Sequence, residues 1–253
     1  MRIHVIACRV LTRELSYLAA MSPNIIEITW LPQGLHQTPD ALRISLADEI
    51  RTIEENVRTD RTRFAPKAIA LGYGLCSNGV LGLESGDIPL VVPRTDDCIA
   101  LLLGAQARYL EQFQAHSGTY WLSSGWVELS AGTKQERAKR RERRFRQYAE
   151  RFDEESAEYL LEQEEQWAHN YNRCALIDLP VHQSPAYEQA AHEMAQENGW
   201  AFERVQGSLR LMEKLLNGQW NEEEFCICPP HHRLVAAYDG TKLCAQALEG
   251  GAP

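Results

Sequence analysis

Three cysteines each follow a short apolar stretch, at the point where a strand would run into a loop. The stretches and their cysteines are 3–7 with Cys8, 68–71 with Cys76, and 89–92 with Cys98. If the three strands are parallel neighbours, their carboxyl ends meet at one edge, where open α/β sheets bind ligands. The spacing therefore predicts that the three thiols gather in one pocket.

Three thiolates in one pocket support two kinds of metal chemistry. They can hold a zinc ion and leave its fourth position open. They can also bind three irons of a 4Fe-4S cluster, which leaves the fourth iron free for a substrate. The wide spacing favours a cluster assembled from separate strands, with zinc as the alternative. The competing interpretation is three inert, buried cysteines that behave as small apolar side chains.

Charged residues close to these cysteines are candidates for catalysis. Arg94 could clamp a carboxylate or phosphate of a small-molecule substrate, and Asp97 could serve as an acid or base. Asp97 could instead cap the helix that follows it. His36 follows another predicted strand and could be an acid/base, a fourth metal ligand or an ordinary loop histidine. We expect all three to lie near the thiols.

Four polar or aromatic residues are predicted to line the same pocket: Tyr73, Asn78, Tyr120 and Trp126. Each follows or ends a predicted strand, so each is expected at the same sheet edge and could contact a substrate. The glycines around Tyr73 do not have the G-x-G-x-x-G spacing of a dinucleotide site, and the chain has no P-loop. It also has no G-x-S-x-G elbow.

The other four cysteines are interpreted as structural. Cys226 and Cys228 form a C-x-C pair followed by two histidines, which resembles a metal box. However, alternation along a strand would place both on one face as ordinary filler. Cys174 and Cys244 lie in apolar surroundings and are predicted to be core residues. The seven cysteines show no compact disulfide framework.

Strand-like and helix-like segments alternate along the chain. This order predicts an α/β fold with a doubly wound, mostly parallel sheet of the Rossmann-like kind, forming a single domain over residues 1–253. A helix over 99–115 would place Cys98 at its N-terminus, where the helix dipole favours a thiolate. A basic and then acidic stretch at about 132–170 predicts an inserted helical hairpin with solvated faces, and an RNA-binding stripe is the minor alternative.

Composition narrows the class of protein. The 253 residues carry a net charge of −9, so nucleic acid is not an expected partner. No apolar run is long enough to cross a bilayer, and the first residues lack a signal core. We therefore expect a cytoplasmic protein with no membrane partner.

Four motifs surround the candidate residues. They are Ile6-Ala7-Cys8, Leu31-Pro32-Gln33-Gly34-Leu35-His36, Gly72-Tyr73-Gly74-Leu75-Cys76-Ser77-Asn78-Gly79 and Pro93-Arg94-Thr95-Asp96-Asp97-Cys98-Ile99. Together they resemble the domain-of-unknown-function 1638 family, an uncharacterised prokaryotic family, over about residues 3–180. The family's P-R-x-H-D-C box has histidine where this chain has Asp96, which argues against a ligand or acid/base role at position 96. The resemblance implies an association with corrinoid-dependent methyl-transfer systems.

Three hypotheses of function follow. In the first, an iron–sulfur cluster on the three cysteines acts on a small anionic molecule, as in a lyase or transferase. In the second, the same thiols hold zinc in a methyl-transfer reaction. In the third, the protein is a non-enzymatic accessory that docks a corrinoid or methyltransferase partner through the charged helices near Arg140 and Glu164.

Overall fold

The structure, a computed structural model, describes residues 1–62 and 64–248. Their contacts fall into two compact units. The first contains Met1–Leu110 and the described residues from Gly207 onward, and the second contains Glu111–Gln206. The sequence predicts a single domain. The pattern of apolar residues shows which faces are buried, but it does not show which faces pack against each other.

A five-stranded sheet forms the centre of the first unit. Its strands are β1 (Arg2–Cys8), β2 (Ile25–Leu31), β3 (Ala68–Gly72), β4 (Leu90–Pro93) and β8 (Phe225–Cys228). They lie in the order β2-β1-β3-β4-β8, and all are parallel except β8. Every residue of the central strand β3 is buried, as expected for a parallel sheet covered on both faces.

Helices and a hairpin complete the first unit. The helices are α1 (Thr12–Met21), α2 (Pro39–Arg58), α3 (Cys98–Leu103) and α9 (Arg210–Asn217). The antiparallel strands β9 (His232–Ala236) and β10 (Leu243–Ala247) form a separate two-stranded sheet. Short 3₁₀ helices occupy Arg9–Leu11 and Leu35–Gln37. The sequence Thr38-Pro39-Asp40 predicts the start of a helix, and α2 begins there, with Pro39 at its first position.

The helix predicted over 99–115 is two helices. Helix α3 ends at Gly104, whose φ of 81° is the left-handed conformation that glycine adopts at little cost. A new helix, α4 (Gln106–Ala115), then begins in the first unit and ends in the second. The side chain and backbone of Ser208 lie so close to Gly104 that a Cβ there would be 2.5 Å from the Ser208 Cβ. The break is therefore also a packing requirement.

The second unit has a parallel sheet of its own, in the order β5-β6-β7. Its strands are β5 (Thr119–Leu122), β6 (Arg173–Asp178) and β7 (Ala201–Gln206). Its helices are α5 (Ser124–Trp126), α6 (Lys134–Ala149), α7 (Glu154–Glu165) and α8 (Pro185–Asn198), with a π-helical turn over Val127–Ala131 and a 3₁₀ helix over Gln166–Asn170. The apolar core packs α8 against this sheet through Ala191, Met194 and Ala195.

The α/β class and the mostly parallel sheet are thus confirmed, but the parallel strands lie in two sheets where the sequence predicts one. The helices α6 and α7 span the predicted insertion at about 132–170. Among the described residues, none of the helices has both the length and the apolar character needed to cross a bilayer.

Candidate functional site

The three cysteine-bearing segments meet because β1, β3 and β4 are consecutive neighbours in the first sheet. The strands are parallel, with Ala7 beside Gly72 and Ile69 beside Leu90, so they end at the same edge. Cys8 is the last residue of β1, and the other two cysteines lie in the loops that follow β3 and β4. The structure therefore brings all three to the carboxyl edge of one sheet.

Backbone hydrogen bonds join the Cys76 loop to the Cys98 loop. The Leu75 N–H donates to the Thr95 carbonyl and the Cys76 N–H donates to the Asp96 carbonyl, both at 2.8 Å. Gly74 allows this approach, because a Cβ there would lie 2.5 Å from the Thr95 hydroxyl and 2.6 Å from its carbonyl oxygen. The loop that carries Cys76 and the loop that carries Cys98 therefore pack directly against each other.

The turn that carries Cys76 is strained. Cys76, Ser77 and Asn78 are consecutive non-glycine residues with φ of 45°, 58° and 66°. The left-handed conformation costs about 1–2 kcal/mol for each such residue. Backbone strain of this kind persists where the surroundings hold it in place, and it is concentrated at functional sites.

The side chain of Tyr73 is buried close to the loops that carry the three cysteines. It is 4% exposed. Burial raises the pKa of Tyr73, and negative charge on the sulfurs of Cys8, Cys76 and Cys98 raises this pKa further. The hydroxyl lies against the Cys8 thiol, although without a hydrogen bond of normal geometry to any described residue.

The buried thiols of Cys8 and Cys76 favour the protonated form. Burial is the main cause that raises the pKa of Cys8, and burial followed by the charge of Asp97 raises the pKa of Cys76 to about 12. The N–H groups of Gly74 and Cys98 point at the Cys76 sulfur and partly offset this rise. A compensating positive charge would be needed for these sulfurs to act as thiolates near neutral pH.

Asp97 is the N-cap of α3. Its Oδ1 accepts from the N–H of Ile99 at 2.8 Å and of Ala100 at 3.4 Å, which places Cys98 at the first helical position. Burial raises the pKa of Asp97 in spite of these hydrogen bonds. The capping role weighed from the sequence is therefore present, and α3 fixes the direction in which Cys98 leaves the backbone.

Residues that the sequence analysis missed surround Asp96. The carboxylate of Asp96 pairs with Lys242 and accepts a hydrogen bond from the Gln106 amide at 2.7 Å. Burial first, and then the charges of Asp97, Asp96 and Cys98, raise the pKa of Tyr109 to about 12. Gln106 and Tyr109 are one turn apart on α4. Helical periodicity in the sequence could therefore have placed them on one face of a helix. No local pattern in the sequence indicates Lys242, because it is 146 residues away from Asp96 in the chain.

A comparison with family models identifies the family of the chain. The model described as "Protein of unknown function (DUF1638)" matches residues 30–216, well over half of the chain. The chain belongs to the DUF1638 family. Comparison with curated proteins and with solved structures gave no match. Cys76 and Cys98 lie within the matched segment of this DUF1638 protein, and Cys8 precedes it.

Arg94 of the DUF1638 chain contacts backbone rather than open solvent. Its Nε donates to the Glu222 carbonyl at 2.8 Å and its Nη1 donates to the Thr241 carbonyl at 2.8 Å. These hydrogen bonds hold C-terminal segments of the first unit against the end of β4. The clamp predicted from the sequence would compete with them for the same donors.

Two further predicted residues lie on loops of the first unit. His36 is in the 3₁₀ helix after β2, and burial lowers its pKa, which favours a neutral imidazole at pH 7. Asn78 is exposed at the end of the left-handed turn. Both belong to loops at the carboxyl ends of strands that neighbour β1.

Tyr120 and Trp126 belong to the second unit. Tyr120 lies on β5, within a cluster of rings whose centroids are 5.3–5.4 Å away: Trp167, Tyr171 and Trp200. Trp126 ends the short helix α5. The prediction that they share one sheet edge with Tyr73 is wrong, because β5 pairs with β6 in a separate sheet.

The C-x-C segment is ordinary strand structure. Cys226 and Cys228 are both buried on β8, whereas Ile227 between them is 40% exposed. The two following histidines contact other groups, His231 pairing with Asp87 and His232 contacting the Pro230 carbonyl. The interpretation of this segment as filler agrees with the structure.

The three cysteines would have to rearrange to bind a metal. Among the residues that the structure describes, no three His, Cys, Asp or Glu side chains form a ready ligand set. Binding by Cys8, Cys76 and Cys98 therefore requires the three sulfurs to move into a common ligand geometry. The hydroxyls of Tyr73 and Thr95, buried in these loops without a hydrogen-bond partner in the described chain, are polar groups that a bound ligand could satisfy.

Proposed function

We propose that Cys8, Cys76 and Cys98 bind one metal centre, an iron–sulfur cluster, which acts on a small anionic molecule. The observation that carries this proposal is that three parallel, neighbouring strands bring Cys8, Cys76 and Cys98 to the same carboxyl edge of one sheet. Three protein thiolates leave one position of a cluster open for a substrate. The activity would be of the lyase or transferase kind.

The chemistry of the thiols supports a cation in this pocket. A pKa of about 12 at Cys76 keeps that sulfur protonated, so it is a poor nucleophile alone. A metal centre would replace the thiol protons and compensate for burial. The N–H groups of Gly74 and Cys98 point at the Cys76 sulfur, and such donors stabilise and tune sulfur ligands.

Other residues of the chain would support such a site. Asp97 fixes the start of α3 and with it Cys98, while the left-handed turn fixes Cys76. Tyr73 would exclude water and present its hydroxyl to the bound group. Lys242, which pairs with Asp96, would attract an anionic substrate toward the loops.

Anaerobic purification followed by metal analysis tests this proposal. We expect a coloured protein with iron and acid-labile sulfide, and we expect both to be lost in Cys8→Ser, Cys76→Ser and Cys98→Ser. Cys228→Ser is the matched control, since Cys228 is also buried in the first unit but lies on β8. This control should retain the wild-type metal content.

The same experiment separates the alternatives. Stoichiometric zinc, lost in the same three variants, would favour the zinc-thiolate site instead of the cluster. A folded protein without iron or zinc after anaerobic purification would contradict both. Retention of metal in Cys8→Ser would also contradict the proposal, because Cys8 is the ligand that β1 provides.

A further inference from the structure

The strand β2 is an open edge of the first sheet. Within the described chain, its only ladder partner is β1. The Ile25 N–H donates to the Met1 carbonyl, which directs the backbone groups of residues 25, 27, 29 and 31 toward β1. Peptide groups alternate along a strand, so those of Ile26, Ile28 and Trp30 point away from the sheet.

This edge lacks the features that normally prevent pairing. Natural edge strands are protected by proline, lysine, bulges or short length. β2 has seven residues, Ile25-Ile26-Glu27-Ile28-Thr29-Trp30-Leu31, with none of these residue types and an uninterrupted register with β1. Its one charge, Glu27, is paired with Arg2 of the same chain. The strand is therefore a competent template for another strand.

We propose that β2 pairs with β2 of a second copy, antiparallel and about a two-fold axis at Ile28, so that two five-stranded sheets become one. In this register Ile28 faces Ile28 and Ile26 faces Trp30, which are the residues whose backbone groups point outward. Glu27 faces Thr29 of the second copy, and Ile25 faces Leu31. The sequence of β2 is self-complementary in this arrangement, as a two-fold interface requires.

Neighbouring registers are less favourable. An axis at Glu27 would place the two Glu27 carboxylates opposite each other, and like charges in that position destabilise a pair of strands. An axis at Thr29 would pair only residues 27–31 and bring Pro32 opposite Ile26. The register centred on Ile28 is the one that pairs all seven residues without opposing charges.

Helix α1 provides a second contact layer. It contacts β2 and connects it to β1. Tyr17 and Met21 lie one turn apart on α1 and are 49% and 69% exposed. Ile25, the first residue of β2, is 58% exposed. Burial of such side chains adds to the backbone pairing.

Site-specific cross-linking of the full chain tests the register. Under mild oxidation we expect Ile28→Cys to form a covalent dimer, since the two introduced thiols would face each other across the axis. Ile26→Cys is the matched control on the same face of the same strand, and it should remain monomeric on a non-reducing gel because Trp30 is its neighbour. Cross-linking of Ile26→Cys as fast as Ile28→Cys would overturn the proposal.

Light scattering of two variants at one position tests the interface without cross-links. Thr29→Glu would place a second carboxylate opposite Glu27 and should shift the protein from dimer to monomer, whereas Thr29→Lys would create an opposite-charge pair and should keep the dimer. Both variants remove the Thr29 hydroxyl, which lies 2.9 Å from the His4 ring nitrogen, so thermal unfolding of each variant is the control for folding. A wild-type monomer, or equal masses for the two variants, would refute the pairing.

Discussion

At the scale of single residues, the site is defined by buried groups held in their neutral forms. Cys76 is 7% exposed, and its pKa is raised from an ordinary 9.0 to about 12. The thiol of Cys8 and the phenol of Tyr73 have pKa values raised in the same direction by burial. These groups lie together, so negative charge on one opposes ionisation of the others. A bound cation is the simplest means of reversing this preference.

The raised pKa of Cys76 predicts a loss of stability in alkali. The unfolded chain loses this thiol proton near pH 9, whereas the folded chain retains it to about pH 12. The stabilisation is complete below pH 9, and the free energy of unfolding falls as the pH rises above that value. Urea unfolding with a reductant and a chelator, between about pH 7.5 and 10, should show a smaller decline in Cys76→Ser than in wild type.

The control for this measurement is Cys244→Ser. The prediction that Cys244 is a core residue is wrong, because Cys244 is exposed on β10. Its replacement should therefore leave the decline unchanged. An identical pH dependence in Cys76→Ser and wild type would show that Cys76 does not retain its proton in the folded chain.

At the scale of elements, the site depends on two loops that approach backbone to backbone. Gly74 lies against Thr95, and the N–H groups of Leu75 and Cys76 donate hydrogen bonds to carbonyls of the loop that carries Cys98. The strand order brings the loops together, and the absence of a Cβ at Gly74 allows them to touch. Cys76 and Cys98 are therefore positioned as a pair.

We expect Gly74→Ala to lower the free energy of unfolding by about 2–3 kcal/mol, because the added Cβ overlaps backbone that has little room to move. The same change should reduce the metal content of the anaerobic protein. Gly199→Ala is the control: it has a left-handed φ of 68° but open space around its Cα, so it should cost only about 1 kcal/mol. Equal stability of Gly74→Ala and wild type in urea would contradict this packing.

At the scale of the whole molecule, charge and its pairing decide which partners are plausible. The net charge is −9. Two arginines of α6 are engaged within the second unit, Arg141 with Glu158 and Glu165 and Arg144 with Glu164. Arg140 donates to the Ala131 carbonyl. A basic stripe that is paired in this way is a weak docking surface for RNA or for an acidic partner.

We therefore expect no binding of single-stranded RNA at about 0.15 M salt, measured by fluorescence anisotropy. A variant with Glu158→Gln, Glu164→Gln and Glu165→Gln frees the arginines and serves as the control, which should gain salt-dependent binding. Binding by the wild type that weakens when Arg141 and Arg144 are changed to glutamine would contradict this expectation.

The sequence by itself determined the local features of this protein. Apolar periodicity predicted the strands that lead to Cys8, Cys76 and Cys98, and residue chemistry predicted the start of α2 and the cap at Asp97. The buried alternation of the C-x-C segment was also readable. These features depend on neighbours a few residues away, and such neighbours are present in any stretch of sequence.

Only the tertiary structure decided which distant groups meet. It divided the strands between two sheets and so separated Tyr120 from the sheet that carries Tyr73. It joined Arg94 to the Thr241 carbonyl, and Asp96 to Lys242, across some 146 residues of chain. Periodicity records that a side chain is buried and not what buries it, so long-range hydrogen bonds and strand order leave no local pattern. For that reason the thiols could be predicted from the sequence, and the surroundings that control them could not.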